Sequence, residues 1–133
     1  MACDVMIVDD NEGDARLLED LLREQSLEVV STPQGSSALD MISDEASIGR
    51  EHPVLVILDL NMPKMDGFSF LRSLRSSPNW PMCRVVVLSG SDAPEDIATS
   101  YQLGVRQYFR KPPNFQGWSR TVDLLVDFMR VME

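Results

Sequence analysis

Apolar residues follow two rhythms along this chain, and the alternation between them predicts the fold. Four short runs read as strands: Val5-Met-Ile-Val8, Val54-Leu-Val-Ile-Leu58, Val85-Val-Val-Leu88 and Val105-Arg-Gln-Tyr-Phe109. The run at 54–58 is apolar without alternation, as a central parallel strand buried on both faces should be. A shorter strand is predicted near Leu27–Ser31. Between the strands, apolar positions recur at helical spacing. A first helix is predicted over 12–25, with Asn11 as its N-cap and Ala15, Leu18, Leu21 and Leu22 on one face. A second, over 36–46, turns Leu39, Ile42 and Ala46 inward, and the polar segment Ser47–Pro53 follows it. A third begins at Asp66–Gly67, carries Phe68, Leu71 and Leu74, and stops before the turn at Pro78 and Pro81. Asp92 and Glu95 have the spacing of a capping box for a fourth helix, with Pro94 in its first turn and Gly104 beyond its end. A last helix runs from about Phe115 to Met132. Strands alternating with helices of this length predict an α/β fold, a doubly wound (βα)5 domain with a parallel sheet covered on both faces by right-handed crossovers.

Size and charge narrow the function. With 133 residues the chain fits one domain, 1–133. A net charge of −9 argues against nucleic acid as a partner, because binding phosphates needs basic surface to displace their counterions. No apolar run approaches the ~18 residues of a membrane span, and the N-terminus lacks a basic region followed by an apolar stretch, so a cytoplasmic location without membrane contact is expected. Cys3 and Cys83 lack metal-ligand spacing and fall in or beside strands, where buried thiols are the better reading. His52 has no second histidine or cysteine near it and reads as a solvated loop residue.

Five polar residues stand out because each directly follows an apolar run: Asp9, Asp10, Asp59, Ser89 and Lys111. In a parallel α/β sheet, ligands bind outside the carboxyl ends of the strands, where the strand order reverses. Three carboxylates, a hydroxyl and an ammonium gathered there suit a divalent cation and a phosphoryl group. Asp59 is the candidate nucleophile, since an aspartate can attack phosphorus and form an aspartyl phosphate. Its difficulty is repulsion, about 4 kcal/mol per like-charge pair at ~4 Å and an effective dielectric near 20. Mg2+ relieves that repulsion and prefers oxygen ligands. Asp10 and Asp59 are the expected direct ligands, Asp9 sits in the outer coordination sphere, and the main-chain carbonyl of Asn61 is a third candidate. Lys111 and Ser89 would donate to phosphoryl oxygens. Two other classes fit less well. A Mg2+-dependent aspartyl phosphatase needs a second acid two residues after its nucleophile, and here that residue is Asn61. A flavodoxin-like electron carrier needs a phosphate-cradling loop after the first strand, where this chain has Asp9-Asp10-Asn11-Glu12.

The whole pattern resembles the receiver domain of bacterial response regulators, the CheY-like family. It consists of Asp9-Asp10, then Leu58-Asp59-Leu-Asn61-Met-Pro63-Lys-Met-Asp66-Gly67, then Ser89-Gly90, then Lys111-Pro112. The resemblance implies a flavodoxin-like sheet in the order 2-1-3-4-5, with Asp59 as phosphoacceptor for a phosphohistidine on a sensor kinase or phosphotransfer protein. It further implies Asp9 and Asp10 as metal-binding acids, Ser89 as switch hydroxyl, Lys111 as phosphate-sensing lysine and Tyr108 as a switch aromatic that turns inward on phosphorylation. Catalysis would be limited to the chain's own phosphorylation and dephosphorylation, and output would be the binding of a downstream protein through the face of helix four, strand five and helix five. The phrase from Leu58 to Gly67 is most similar to small stand-alone regulators that partner phytochrome-type sensor kinases. Gly90 stands where the family usually has alanine, and Ser91 with Asn61 occupies positions that tune access of the hydrolytic water.

Two expectations are specific to this chain. The Lys111–Pro112 bond is expected to be cis, so that Lys111 points into the crevice while the chain turns away. The last helix carries an apolar arc of roughly 220°, wider than one buried face requires. Trp118, Val122, Leu125, Met129 and Met132 form one stripe, Leu124, Phe128 and Val131 a second, with Val126 on the flank. A homodimer through this helix is therefore expected, with Phe128 and Leu124 facing outward.

Overall fold

The computed structural model describes residues 3–43, 53–62 and 64–132. Five strands, β1 (Val5–Val8), β2 (Val29–Thr32), β3 (Val54–Leu58), β4 (Cys83–Ser89) and β5 (Gln107–Arg110), form one parallel sheet in the order β2-β1-β3-β4-β5. Among the described residues five α-helices connect and follow them: α1 (Glu12–Arg23), α2 (Gly35–Ser43), α3 (Gly67–Arg75), α4 (Pro94–Gln102) and α5 (Phe115–Met132). The doubly wound fold and its strand order are as expected.

Side-chain alternation on the strands divides the core into two layers. Val5, Ile7, Leu55, Ile57, Val86 and Leu88 face α1 and α5. Met6, Val8, Val56, Leu58, Val85 and Val87 face the opposite layer, with Ala38 and Ile42 of α2 and Phe70, Leu71 and Leu74 of α3. Strand β3 is buried along its whole length, which is why its sequence does not alternate. Helix α4 is anchored more thinly: Ser100 is its one buried residue, and Leu103 beyond its end packs on the core.

Helix boundaries follow local chemistry, with some departures from expectation. The Asn11 side chain caps α1 by accepting from the Asp14 N–H at 3.0 Å, and Asp66 caps α3 through the Ser69 N–H at 2.8 Å. Helix α1 ends at Arg23 rather than 25, in a turn where Ser26 takes a positive φ of 63°. Strand β2 is displaced toward the C-terminus, to Val29–Thr32. The described part of α2 ends at Ser43, so Ala46, the segment from Ser47 and His52 lie outside the described residues. Asp92 does not cap α4. The N-cap is Ala93, while the Ser91 hydroxyl accepts from the Ala93 N–H at 3.2 Å and donates to Asp96 at 2.6 Å, satisfying the helix entry from one residue earlier. Strand β4 runs longer than its apolar core, so Ser89 is its last residue rather than the one after it. Strand β5 starts two residues late because the Val105 N–H is taken by the Ser100 carbonyl at the end of α4.

Two glycines permit close approaches. A Cβ on Gly67 would lie 2.7 Å from the Leu60 Cα, so only glycine lets the loop after β3 fold back onto its own start. Gly104, at φ +95°, closes α4 beneath the Trp80 ring. Cys3 and Cys83 are both buried, as expected.

The C-terminal helix corrects part of its expected arrangement. Trp118, Val122, Leu125 and Met129 form the buried stripe, and Val126 joins them. Phe128 does not face outward: it is half-buried against the same layer, because β1, β3 and α1 offer a wide apolar floor. Leu124 and Val131 are the exposed members, at 50% and 85%. Among the described residues no helix is long and apolar enough to cross a membrane.

Candidate functional site

Each expected site residue is delivered by the end of a strand. Asp9 follows β1 and is buried, its N–H bonded to the Thr32 carbonyl at 3.1 Å. Asp59 follows β3, is also buried, and its N–H reaches the Val8 carbonyl at 2.9 Å, so the two carboxylates leave neighbouring strands side by side. Asp10 is exposed beside them. One carboxylate oxygen from each of Asp9, Asp10 and Asp59 lies within 4.8 Å of the others. This is the crevice where the chain's progress across the sheet reverses direction, between β1 and β3.

Lys111 closes the site from β5. Its N–H extends the pairing to the Ser89 carbonyl at 2.7 Å, fixing where its side chain begins. The ammonium lies 2.9 Å from Asp9, 3.0 Å from Asp14 and 3.4 Å from Asp59. Burial alone would lower the Lys111 pKa; the hydrogen bonds to Asp9 and Asp14 and the charges of Asp9 and Asp59 outweigh it and raise the group above its usual value. Asp9 is pushed up to about 6, chiefly by burial, against the lowering effects of the Asn11 N–H and Lys111. Ser89 is fully buried, and its hydroxyl accepts from the Ser91 N–H at 3.3 Å. Tyr108 is half-buried, and its hydroxyl donates to the Ser91 carbonyl at 2.8 Å; burial raises its pKa.

Asp59, Asp9, Asp10, Lys111 and Ser89 thus come together as expected, and Asn61 adjoins them, its N–H bonding the Asp59 carboxylate at 3.3 Å. Two features differ. The Lys111–Pro112 bond is trans, because cis peptide bonds are absent among the described residues. The chain bends at 113–114 with the bond trans, and Gly117 in the first turn of α5 lets the helix pack close over the proline, where a Cβ would sit 2.5 Å from the Pro112 Cβ. Asp14 is the second, a site residue that the sequence reading did not single out. Its one available signal is its position three residues after the cap Asn11, which puts it on the first turn of α1 facing the crevice. With Asp14 included, three carboxylates contact the Lys111 ammonium and Asp10 stands beside Asp9 and Asp59, so four negative charges face one positive charge. A doubly charged cation among Asp9, Asp10 and Asp59 would offset two of the three negative charges left over, and the donor set, all oxygen, fits Mg2+.

A family profile for the response regulator receiver domain matches residues 5–122. The chain belongs to that family. As a receiver domain it has relatives that match over most of their own length. The response regulator Rcp1 of Synechocystis sp. is 28% identical over 127 residues, covering 93% of this chain and 86% of Rcp1. The crystal structure of Rcp1 in its Mn2+-bound form superposes with a TM-score of 0.80, covering 96% of this chain and 94% of Rcp1. The phosphorylated cyanobacterial phytochrome response regulator RcpA is 32% identical, with a TM-score of 0.80 and coverage of 97% and 94%. Chemotaxis protein CheY4 of Vibrio cholerae, at 22% identity and a TM-score of 0.76, shares the fold of this receiver domain. The resemblance read from Asp9 to Lys111 is therefore membership.

Proposed function

We propose that this receiver domain accepts a phosphoryl group on Asp59 from a phosphohistidine and signals by protein binding. The observation that carries the reading is the meeting of Asp59, Asp9 and Lys111 at three strand ends, with Asp10 beside them. In the transfer, an Asp59 carboxylate oxygen forms the bond to phosphorus while the phosphorus–nitrogen bond breaks, and the leaving imidazole keeps the electron pair. Hydrolysis reverses the modification: water attacks phosphorus, and Asp59 returns as carboxylate with release of inorganic phosphate. Asp10 and Asp59, with the Asn61 carbonyl, would hold Mg2+ directly, and Asp9 in the outer sphere. There it would neutralise the carboxylates and the developing phosphoryl charge.

The chain's own residues do the rest. Lys111 exchanges a carboxylate partner for a phosphoryl oxygen, and the Ser89 hydroxyl donates to another. Drawing Ser89 toward the phosphoryl group removes the acceptor of the Ser91 N–H, and the loop to α4 follows. Tyr108, tied to the Ser91 carbonyl, moves with it, so a local charge event biases the α4-β5-α5 face between two arrangements. Partners are a sensor histidine kinase or phosphotransfer protein upstream, of the phytochrome type by likeness to RcpA, and a protein target downstream. A second copy of the chain, meeting the exposed Leu124 and Val131 of α5, completes the proposal, with the cytoplasm as its compartment.

The test is labelling by acetyl phosphate. Wild-type protein should take up one phosphoryl group only with Mg2+ present, and Asp59→Asn should take up none. Stoichiometric labelling of that variant by intact-mass measurement would sink the assignment. Many turnovers by the wild type would instead mark a phosphatase.

A further inference from the structure

At the opposite end of the sheet from the acidic crevice, three arginines line an open cleft of about 530 Å³: Arg75 from the end of α3, Arg84 near the start of β4 and Arg106 just before β5. Trp80, Pro81 and Gly104 complete its walls. Arg84 is five strand residues from Ser89, roughly 17 Å at ~3.3 Å per residue, so the cleft is separate from the phosphoryl site. The chain has only 12 lysines and arginines against 21 acidic residues. Among the described residues none of these three cations has a carboxylate partner; Arg16, Lys64, Arg72 and Arg120 lack one too, but none of those lines the cleft.

Two of the three heads are also held in place. The Arg75 guanidinium lies 5.9 Å from the Trp80 ring centroid and donates to the Gln102 carbonyl at 3.1 Å. Arg84 donates to the Pro81 carbonyl at 2.6 Å. A guanidinium presents several donors in a fixed fork, so one bond to a carbonyl leaves others for an oxyanion. Gly104 lets the Trp80 wall close in, since any Cβ there would meet the ring at 2.9 Å.

We infer that this cleft docks a short acidic segment of a protein partner, its carboxylates received by Arg75, Arg84 and Arg106. A small-molecule site would be deeper, mostly apolar and able to enclose its ligand, whereas this one is shallow and polar. A long polyanion would have to lie across the remaining surface of a chain with net charge −9 and be repelled by it. A few carboxylates on an extended peptide match both the charge and the size, and bidentate pairing gives them orientation.

A fluorescein-labelled peptide of six glutamates, titrated with the full chain and followed by anisotropy, tests this. The peptide should bind at low salt and weaken as salt is added, and its glutamine counterpart should not bind. Arg84→Gln/Arg106→Gln should weaken binding by about tenfold or more, the loss expected for charge-assisted hydrogen bonds. Arg106→Gln alone, at an exposed position, serves if the double variant unfolds, and should also weaken binding. Failure of the glutamate peptide to bind, equal binding of the glutamine peptide, or affinity unchanged in the variants overturns the proposal. ATP or inorganic phosphate binding in place of the peptide, and lost in the same variants, also overturns it and makes the cleft a small-anion site.

Discussion

The Tyr108 hydroxyl donates to the main-chain carbonyl of Ser91 at 2.8 Å, while the Ser91 side chain bonds Asp96 in the first turn of α4. Ser91 therefore ties the Ser89 hydroxyl, Tyr108 and the entry of α4 together. Ser91→Ala should remove the side-chain half of that junction and leave Asp59 untouched. The expected result is normal labelling by acetyl phosphate with faster amide exchange over 92–98 in the unphosphorylated protein. Unchanged exchange there would show that α4 is held by other contacts.

Asp14 gives a prediction of opposite sign to most site substitutions. It holds the Lys111 ammonium at 3.0 Å and adds negative charge near an incoming anion. Asp14→Asn should free Lys111 and weaken repulsion, by about 0.5–1 kcal/mol for a partly exposed pair. Labelling by acetyl phosphate should accelerate about two- to fivefold. Slower labelling would make Asp14 a support for Lys111 rather than a competitor. Lys111→Ala, by contrast, should retain slow labelling and lose its coupling to exchange over 92–98.

Asp9 should make the proposed cation binding pH-dependent. Its folded pKa, about 6, lies above the ordinary 3.8, so the folded chain holds this proton more strongly than the unfolded one. Asp9 thus withdraws stability from the metal-free protein as pH rises between those values. Mg2+ requires the ionised form, and its affinity should fall about tenfold from pH 7 to pH 5. Calorimetric titration measures this directly; an affinity flat across that range would exclude Asp9 from the cation's surroundings.

The proposed self-association through α5 would rest on fewer residues than the helical pattern suggested. Leu124 is half exposed and Val131 mostly so, while Phe128 packs on the chain's own core. Leu124→Arg should convert a dimer to a monomer by light scattering with little effect on stability, because the side chain already meets solvent. A wild-type chain monomeric at high micromolar concentration, phosphorylated or not, would leave this face without that partner.

The five strand-end residues were legible because strand apolarity is local, and the parallel-sheet rule then brings their C-terminal ends together. The isomer at Pro112 was not, since an X-Pro bond favours trans by only about 0.5–1 kcal/mol, too little for the local sequence to decide. Nor was Asp14, whose role comes from a lysine 97 positions away in the chain. The outward face of α5 was misread at Phe128 because helical spacing ranks positions around an axis but does not say how wide the floor beneath them is. The arginine cleft was invisible for the same reason as Asp14: Arg75, Arg84 and Arg106 meet only once α3, β4 and β5 are assembled.

Gly67 contributes no side chain to the loop that carries Asp59, yet an added methyl there would lie 2.7 Å from the Leu60 Cα and 3.1 Å from the Asp59 carbonyl oxygen. Both obstacles are main chain, which cannot rotate aside. In a saturation scan, position 67 should tolerate no replacement, and no second-site suppressor should recover one, because shrinking a neighbour's side chain leaves the clash in place. The mutational landscape of this site thus has a barren position eight residues from Asp59, where the requirement is for an atom to be missing.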